Sequence, residues 1–126
     1  MTHVALRKGT SDAYKQAVLE GIYQAMRETC HIGDGDRFMS ITEHDKSTFA
    51  YGETYLGIKR SDDLLQIQIA WSPGKNAQMK QALYKKIVDL LSKDPGVRPE
   101  DVFISVLEAP AENWSFGNGE AQFYRP

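Results

Sequence analysis

At 126 residues, with an apolar fraction of 41% and a formal charge of −2, the chain has the length of one domain and enough apolar side chain for a core. Acidic and basic residues interleave along it, so no basic stripe points to nucleic acid or anionic lipid, and no charged start leading into an apolar run marks a signal peptide or spanning helix. The lone Cys30 leaves no internal disulfide and His3, His31 and His44 show no ligand spacing, so a cytoplasmic protein without metal or other cofactor is expected.

His3 to Leu6 is a short apolar-leaning strand ended by Gly9, and Thr10 and Ser11 then offer a helix cap. Tyr14, Val18, Ile22 and Ala25 recur at three or four positions, widened by Leu19 and Met26, which predicts an amphipathic helix ending near Cys30. The glycines of the loop His31 to Asp36 break it, and Phe38 to Thr42 resumes with strand-like alternation. Glu43 to Asp62 carries scattered charge, Gly52, Gly57 and three aromatic residues without a helical period, and reads as a structured connection with room for one short strand. Leu64 to Trp71 is the clearest strand, stopped by Ser72-Pro73-Gly74. A second helix starts at Asn76 and carries Met79, Leu83, Ile87, Leu90 and Leu91 to Asp94, where Pro95-Gly96 forbids continuation. Val102 to Leu107 is the last strand. The tail from Glu112 to Glu120 is too glycine-rich for a helix and too aromatic for a free end, so it docks.

A shift of 65 residues, the distance from Lys15 to Lys80, lays one half of the chain over the other. Lys15-Gln16-Ala17 falls on Lys80-Gln81-Ala82, Gly9 on Gly74, Ile22 on Ile87, Asp36 on Asp101, Phe38 on Phe103, Ser40 on Ser105 and Glu43 on Glu108. Identities at one constant shift through strand, helix and strand indicate a duplicated β-α-β unit, roughly residues 1–60 and 64–120, within a single domain of residues 1–126. A helical crossover requires each unit's two strands to be parallel, with a right-handed connection. The expected fold is therefore α/β (α+β): a four-stranded mixed sheet with both helices on one face. The other face would be bare and apolar, and self-association would cover it.

These two halves, together with Asp36-Arg37-Phe38, Tyr55-Leu56-Gly57-Ile58, Arg60-Ser61-Asp62-Asp63 and Asn113-Trp114-Ser115-Phe116-Gly117-Asn118-Gly119, resemble the tautomerase superfamily. The nearest branch is malonate semialdehyde decarboxylase and its relatives. The resemblance spans nearly the whole chain, and Trp114 to Gly117 is its most specific piece. It implies a homotrimer and cofactor-free acid-base chemistry on small 2-oxo or 3-oxo acids, carried by an amino-terminal proline with arginines holding the carboxylate. Asp36 stands where the family aspartate orients water; a loop carboxylate capping backbone groups is the alternative. Lys75 stands near the family's carboxylate-binding arginine and just ahead of a helix start, a place that suits anions. It supplies a point charge and not a planar fork. The branch's second arginine has no counterpart among Ser72 and Pro73. Trp114 and Phe116 wall the pocket or pack beneath a neighbouring subunit. Arg37 and Arg60 bind a carboxylate or form surface ion pairs.

The departure lies at the first strand. Relatives begin Met-Pro, whereas this sequence reads Met1-Thr2, and counting back from Gly9 sets the proline position ahead of Met1. Leu64 and Leu65 likewise have no partners in the first half, so the leading strand reads as shortened. The catalytic residues implied are the terminal amine at Met1 or Thr2, with Asp36; Lys75, Arg37, Trp114 and Phe116 are the substrate-binding ones. An α-amino group titrates near ~8 and retains some capacity for proton transfer. Two functions follow: a tautomerase, or related hydratase or decarboxylase, or else a proline-less relative that binds a small carboxylate or a protein partner without turnover.

Overall fold

The computed structural model describes all 126 residues. Its elements are β1 (Thr2–Arg7), α1 (Asp12–Cys30), β2 (Met39–His44), β3 (Leu65–Trp71), α2 (Ala77–Lys93) and β4 (Val102–Glu108). They form one four-stranded sheet in the order β2-β1-β3-β4. β1 pairs in parallel with β2 and β3 with β4, while β1 and β3 meet antiparallel at the centre. The architecture is the expected mixed sheet of duplicated β-α-β units, and the 65-residue shift is written into its bonds. In both parallel pairs the partners lie 37 positions apart, as in Thr2 with Met39 and Leu65 with Val102.

Each helix begins the same way. Ser11 Oγ accepts from the Tyr14 N–H at 3.1 Å, and Asn76 Oδ1, 65 positions on, accepts from the Met79 N–H at 2.9 Å. These caps each satisfy one of the free donors of a first turn, a contribution of ~1 kcal/mol. A lysine then ties each helix to the second strand of its own unit. Lys15 pairs with Glu43 and Lys80 with Glu108.

Alternation along β1 and β3 turns Val4, Leu6, Ile67 and Ile69 toward the helices, where Val18, Ile22, Leu83, Ile87 and Leu91 meet them fully buried. Burying each of these side chains contributes ~1.5–3 kcal/mol, which is what holds the helices on the sheet. Gly21 lets α1 and α2 approach: a Cβ there would sit 2.8 Å from Leu91 Cδ2.

Three sequence expectations change in detail. β1 runs from Thr2 to Arg7 and β2 from Met39 to His44, because the ladder begins with the Thr2 N–H donating to the Phe38 carbonyl; Phe38 itself stands outside the strand. The connection from Asp45 to Asp63 holds two 3₁₀ turns and no strand. Arg60 organises it by donating to the carbonyls of Gly52, Tyr55 and Ile58 at 2.9–3.3 Å, and it forms no ion pair within the chain.

The uncovered sheet face also differs from expectation. By alternation it presents His3, Ala5 and Arg7 of β1, Gln66, Gln68 and Ala70 of β3, Ser40 and Thr42 of β2, and Phe103 and Leu107 of β4. Only the last two are large and apolar, and each is 50% exposed. The face is mixed and not apolar, because the outward positions of the two central strands hold histidine, arginine, glutamine and alanine. His3 bridges two hydroxyls on it, Ser40 Oγ at 3.1 Å and Thr42 Oγ1 at 3.2 Å. The connection covers one end, where Gln66 donates to the Ala50 carbonyl and Arg7 pairs with Asp62 at 2.5 Å.

Candidate active site

A cavity of about 490 Å³ lies at the head of β1. Its floor is the sheet end formed by Met1, Thr2, Ala70 and Trp71, one side is the end of α1 through Tyr23, Met26 and Cys30, and the loop from His31 to Phe38 closes another. The tail supplies the remaining wall. The Ala109 N–H donates to the Trp71 carbonyl at 2.9 Å, the Trp114 indole N–H to the Ala109 carbonyl at 3.0 Å, and the chain thereby folds Trp114, Phe116 and Phe123 over the opening. Trp114 stacks on Phe116 with ring centres 6.3 Å apart, and Phe116 contacts both Phe38 and Phe123. The tail therefore docks within its own chain, its aromatic side chains lining a cavity with one stacked pair, Trp114 on Phe116, and one edge-to-face pair, Phe116 with Phe123.

The Met1 amine is held at this site by donating to the Ala70 carbonyl at 2.8 Å. The methionine side chain is exposed, but the amine is tucked against the sheet end, and burial pulls its pKa below the ordinary 8.0 while the charge of Asp36 acts in the opposite sense. Asp36 sits in the turn after α1, its backbone N–H bonded to the Gly33 carbonyl at 3.1 Å, and its carboxylate has no ion-pair partner. Lys75 leans over the Trp71 ring, its ammonium 4.6 Å from the ring centre.

Of the residues singled out in the sequence, Met1, Thr2, Asp36, Lys75, Trp114 and Phe116 all line this one cavity. Thr2 does so as a strand residue: its amide bonds to Phe38, its side chain is buried, and Oγ1 points to Met26 Sδ at 3.7 Å. Arg37 stands apart. Its guanidinium pairs with Glu20 at 2.7 Å and lies 4.5 Å over the Tyr23 ring, on the outer side of α1. Trp71, Tyr23, Phe123 and Cys30 also line the cavity and were not marked as site residues in the sequence. Trp71 was legible only as the last inward position of the strongest strand; Phe123 lies beyond every periodic segment and gave no signal. No three metal-ligating side chains converge anywhere in the fold, and no helix is long and apolar enough to cross a membrane.

Two β-α-β units sharing one sheet, with a cavity at the head of the first strand, define the tautomerase class of fold. A family model described as tautomerase enzyme matches residues 36–117. The chain is 37% identical over 119 residues to the probable tautomerase YusQ of Bacillus subtilis (strain 168), covering 94% of both chains. Among solved structures, a malonate semialdehyde decarboxylase with decarboxylase and hydratase activities superposes with a TM-score of 0.93 at 27% identity, over 98% of this chain and 95% of that one. A fused 4-OT described as a symmetric trimer shares the fold with a TM-score of 0.78 at 16% identity, over 94% and 93%. The chain belongs to the tautomerase family.

Proposed function

We propose that the cavity catalyses keto-enol tautomerisation, or the related hydration or decarboxylation, of a small 2-oxo or 3-oxo acid. The observation that carries this reading is the convergence of a desolvated amine, an unpaired carboxylate and an unpaired ammonium in one largely apolar cavity. In the proposed reaction the neutral amine at the head of β1 takes the enol hydroxyl proton and delivers one to the far carbon of the enol double bond as the carbonyl forms, so the net change is isomerisation. Its lowered pKa keeps more of it in the base form near neutrality than a free α-amine would be. Lys75 pairs with the substrate carboxylate and Asp36 orients substrate or water, while Trp114 and Phe116 exclude solvent and strengthen both charges.

One observation favours a second reading, in which a carboxylate binds without turnover: the amine already spends a hydrogen bond on Ala70. Ketonisation of phenylenolpyruvate and of 2-hydroxymuconate separates the two. Turnover above buffer, lowered ~10²–10⁴-fold by Asp36→Ala and weakened chiefly in KM by Lys75→Ala, is the expected result. Rates equal to buffer would overturn the enzymatic reading, and rates indifferent to both substitutions would overturn the site assignment. On family grounds we propose further that the chain is a cytoplasmic homotrimer that covers the mixed sheet face. A sedimentation mass of three times 14.2 kDa is expected, and a monomer at micromolar concentration would remove that proposal.

A further inference from the structure

Trp71 closes β3 with only 7% of its surface exposed, and its indole both lines the cavity and carries the Lys75 ammonium on its face. The separation of 4.6 Å is inside the ~6 Å over which an aromatic quadrupole holds a cation. Lys75 pairs with no carboxylate, as is also true of Lys46, Lys59 and Lys85, but of these four only Lys75 rests on an aromatic ring and lines the cavity. Its charge is therefore oriented by the ring and left unneutralised.

The Trp71 indole N–H has no acceptor within the chain, so no intrachain hydrogen bond accounts for the tryptophan. Phenylalanine or leucine would end the strand as well. What the indole supplies instead is the broadest and most electron-rich face available to a lysine. The internal repeat isolates the device. The positions equivalent to Trp71 and Lys75 in the first half are Leu6 and Thr10, so the pairing of ring and cation does not recur at the matching place in the repeat.

We infer that Trp71 is a positioning residue: its ring face fixes the Lys75 ammonium at the cavity so that a flexible point charge meets the substrate carboxylate in one orientation. This rests on the reading of Lys75 as the carboxylate binder. A free lysine side chain has many rotamers to lose on binding, and a ring that has already confined it reduces what binding must still take away.

The test is a double-mutant cycle on phenylenolpyruvate kinetics, with Trp71→Leu, Trp71→Phe, Lys75→Met and the combinations. Trp71→Leu is expected to raise KM about 2- to 30-fold, the range of a cation-π contact, with kcat moved less than about twofold. Trp71→Phe, which keeps a ring face, is expected to restore part of the loss. In the Lys75→Met background Trp71→Leu should change KM by less than about twofold. A Trp71→Leu effect as large without the lysine as with it makes Trp71 a plain cavity wall and overturns the inference, while a raised KM in Lys75→Met leaves the carboxylate-binding reading standing. An unchanged KM in Lys75→Met overturns both. A readout independent of turnover is the proton shift of the Lys75 ε-methylene, expected upfield in the native chain and at its random-coil value in Trp71→Leu. A random-coil value in the native chain overturns the inference.

Discussion

Because β1 and β3 run antiparallel, each end of that central pair joins the start of one strand to the finish of the other, and the duplication makes the two ends formally alike. They have become opposites. At one end Asp101, fully buried, accepts from the Ser61 N–H at 2.7 Å and the Ser61 hydroxyl at 2.6 Å, with Arg98 3.5 Å away. At the other end Asp36, its counterpart in the repeat, is exposed at a cavity with no ion-pair partner. The first aspartate fastens the connection that leads into β3. The second is left available. One residue type at one repeated position serves as a clasp or as a chemical group according to what chain packs against it, and the same contrast runs through Leu6 and Trp71, and through Thr10 and Lys75.

The contrast is most severely tested at the aspartates. Asp101→Ala should lower stability by ~3–5 kcal/mol in urea unfolding, because it strips a buried charge network of its acceptor. Asp36→Ala should stay within ~0.5 kcal/mol and act on turnover instead. Equal losses would mean the two ends differ less than their surroundings suggest. Next come Ile22→Ala and Ile87→Ala, both fully buried at equivalent positions. Each should cost ~2–5 kcal/mol. Unequal losses would show that one helix carries more of the core than the repeat implies.

The amine gives a smaller effect with a definite sign. Its pKa is lowered in the fold, so between that value and the ordinary 8.0 the unfolded chain binds more protons, and stability rises with pH across that window. The proposed base form grows over the same range, so kcat/KM should rise with pH and level off below 8.0. Asp36 pushes the amine pKa up, so Asp36→Asn should move that limb to lower pH; a shift upward would contradict the placement of the two groups. Smallest of all, Lys15→Met and Lys80→Met each remove a partly exposed ion pair and should cost no more than ~1 kcal/mol, by similar amounts.

The contrast also marks what a sequence can disclose. Caps, helix stripes and the constant shift are local or repeated patterns, so Ser11 and Asn76, Ile22 and Ile87, and the order of strands and helices were legible before any coordinates. The pairing of Lys15 with Glu43 and of Lys80 with Glu108 was visible as identities, though not as contacts. Site membership was harder. Asp36, Lys75, Trp114 and Phe116 were marked through family resemblance, and nothing in their spacing alone would have gathered them. Arg37 shows the limit: it adjoins Asp36 in sequence, yet the turn sends its side chain outward to Glu20 and Tyr23. Trp71 was legible only as the end of the clearest strand, because alternation reports which side of the sheet a residue takes and not what meets it there. The bare face was expected to be apolar from the fold class alone, whereas the outward positions of the two central strands hold polar side chains and alanine, and only Phe103 and Leu107 on the edge strand are large and apolar.

The placement of β1 at the middle of the sheet has a consequence for how the chain folds. Its parallel partner β2 follows within the first half, but its other edge waits for β3, and the Met1 carbonyl accepts from the Ala70 N–H at 2.8 Å across 69 positions of sequence. During synthesis the first β-α-β unit therefore carries an open inner edge until residues 65–71 have left the ribosome. A loop of that length closes late and slowly, because its entropy is lost before the ladder returns anything. The central ladder thus closes the longest loop in the sheet, and slowing its closure would prolong an unpaired strand edge, the feature most prone to pairing with another chain.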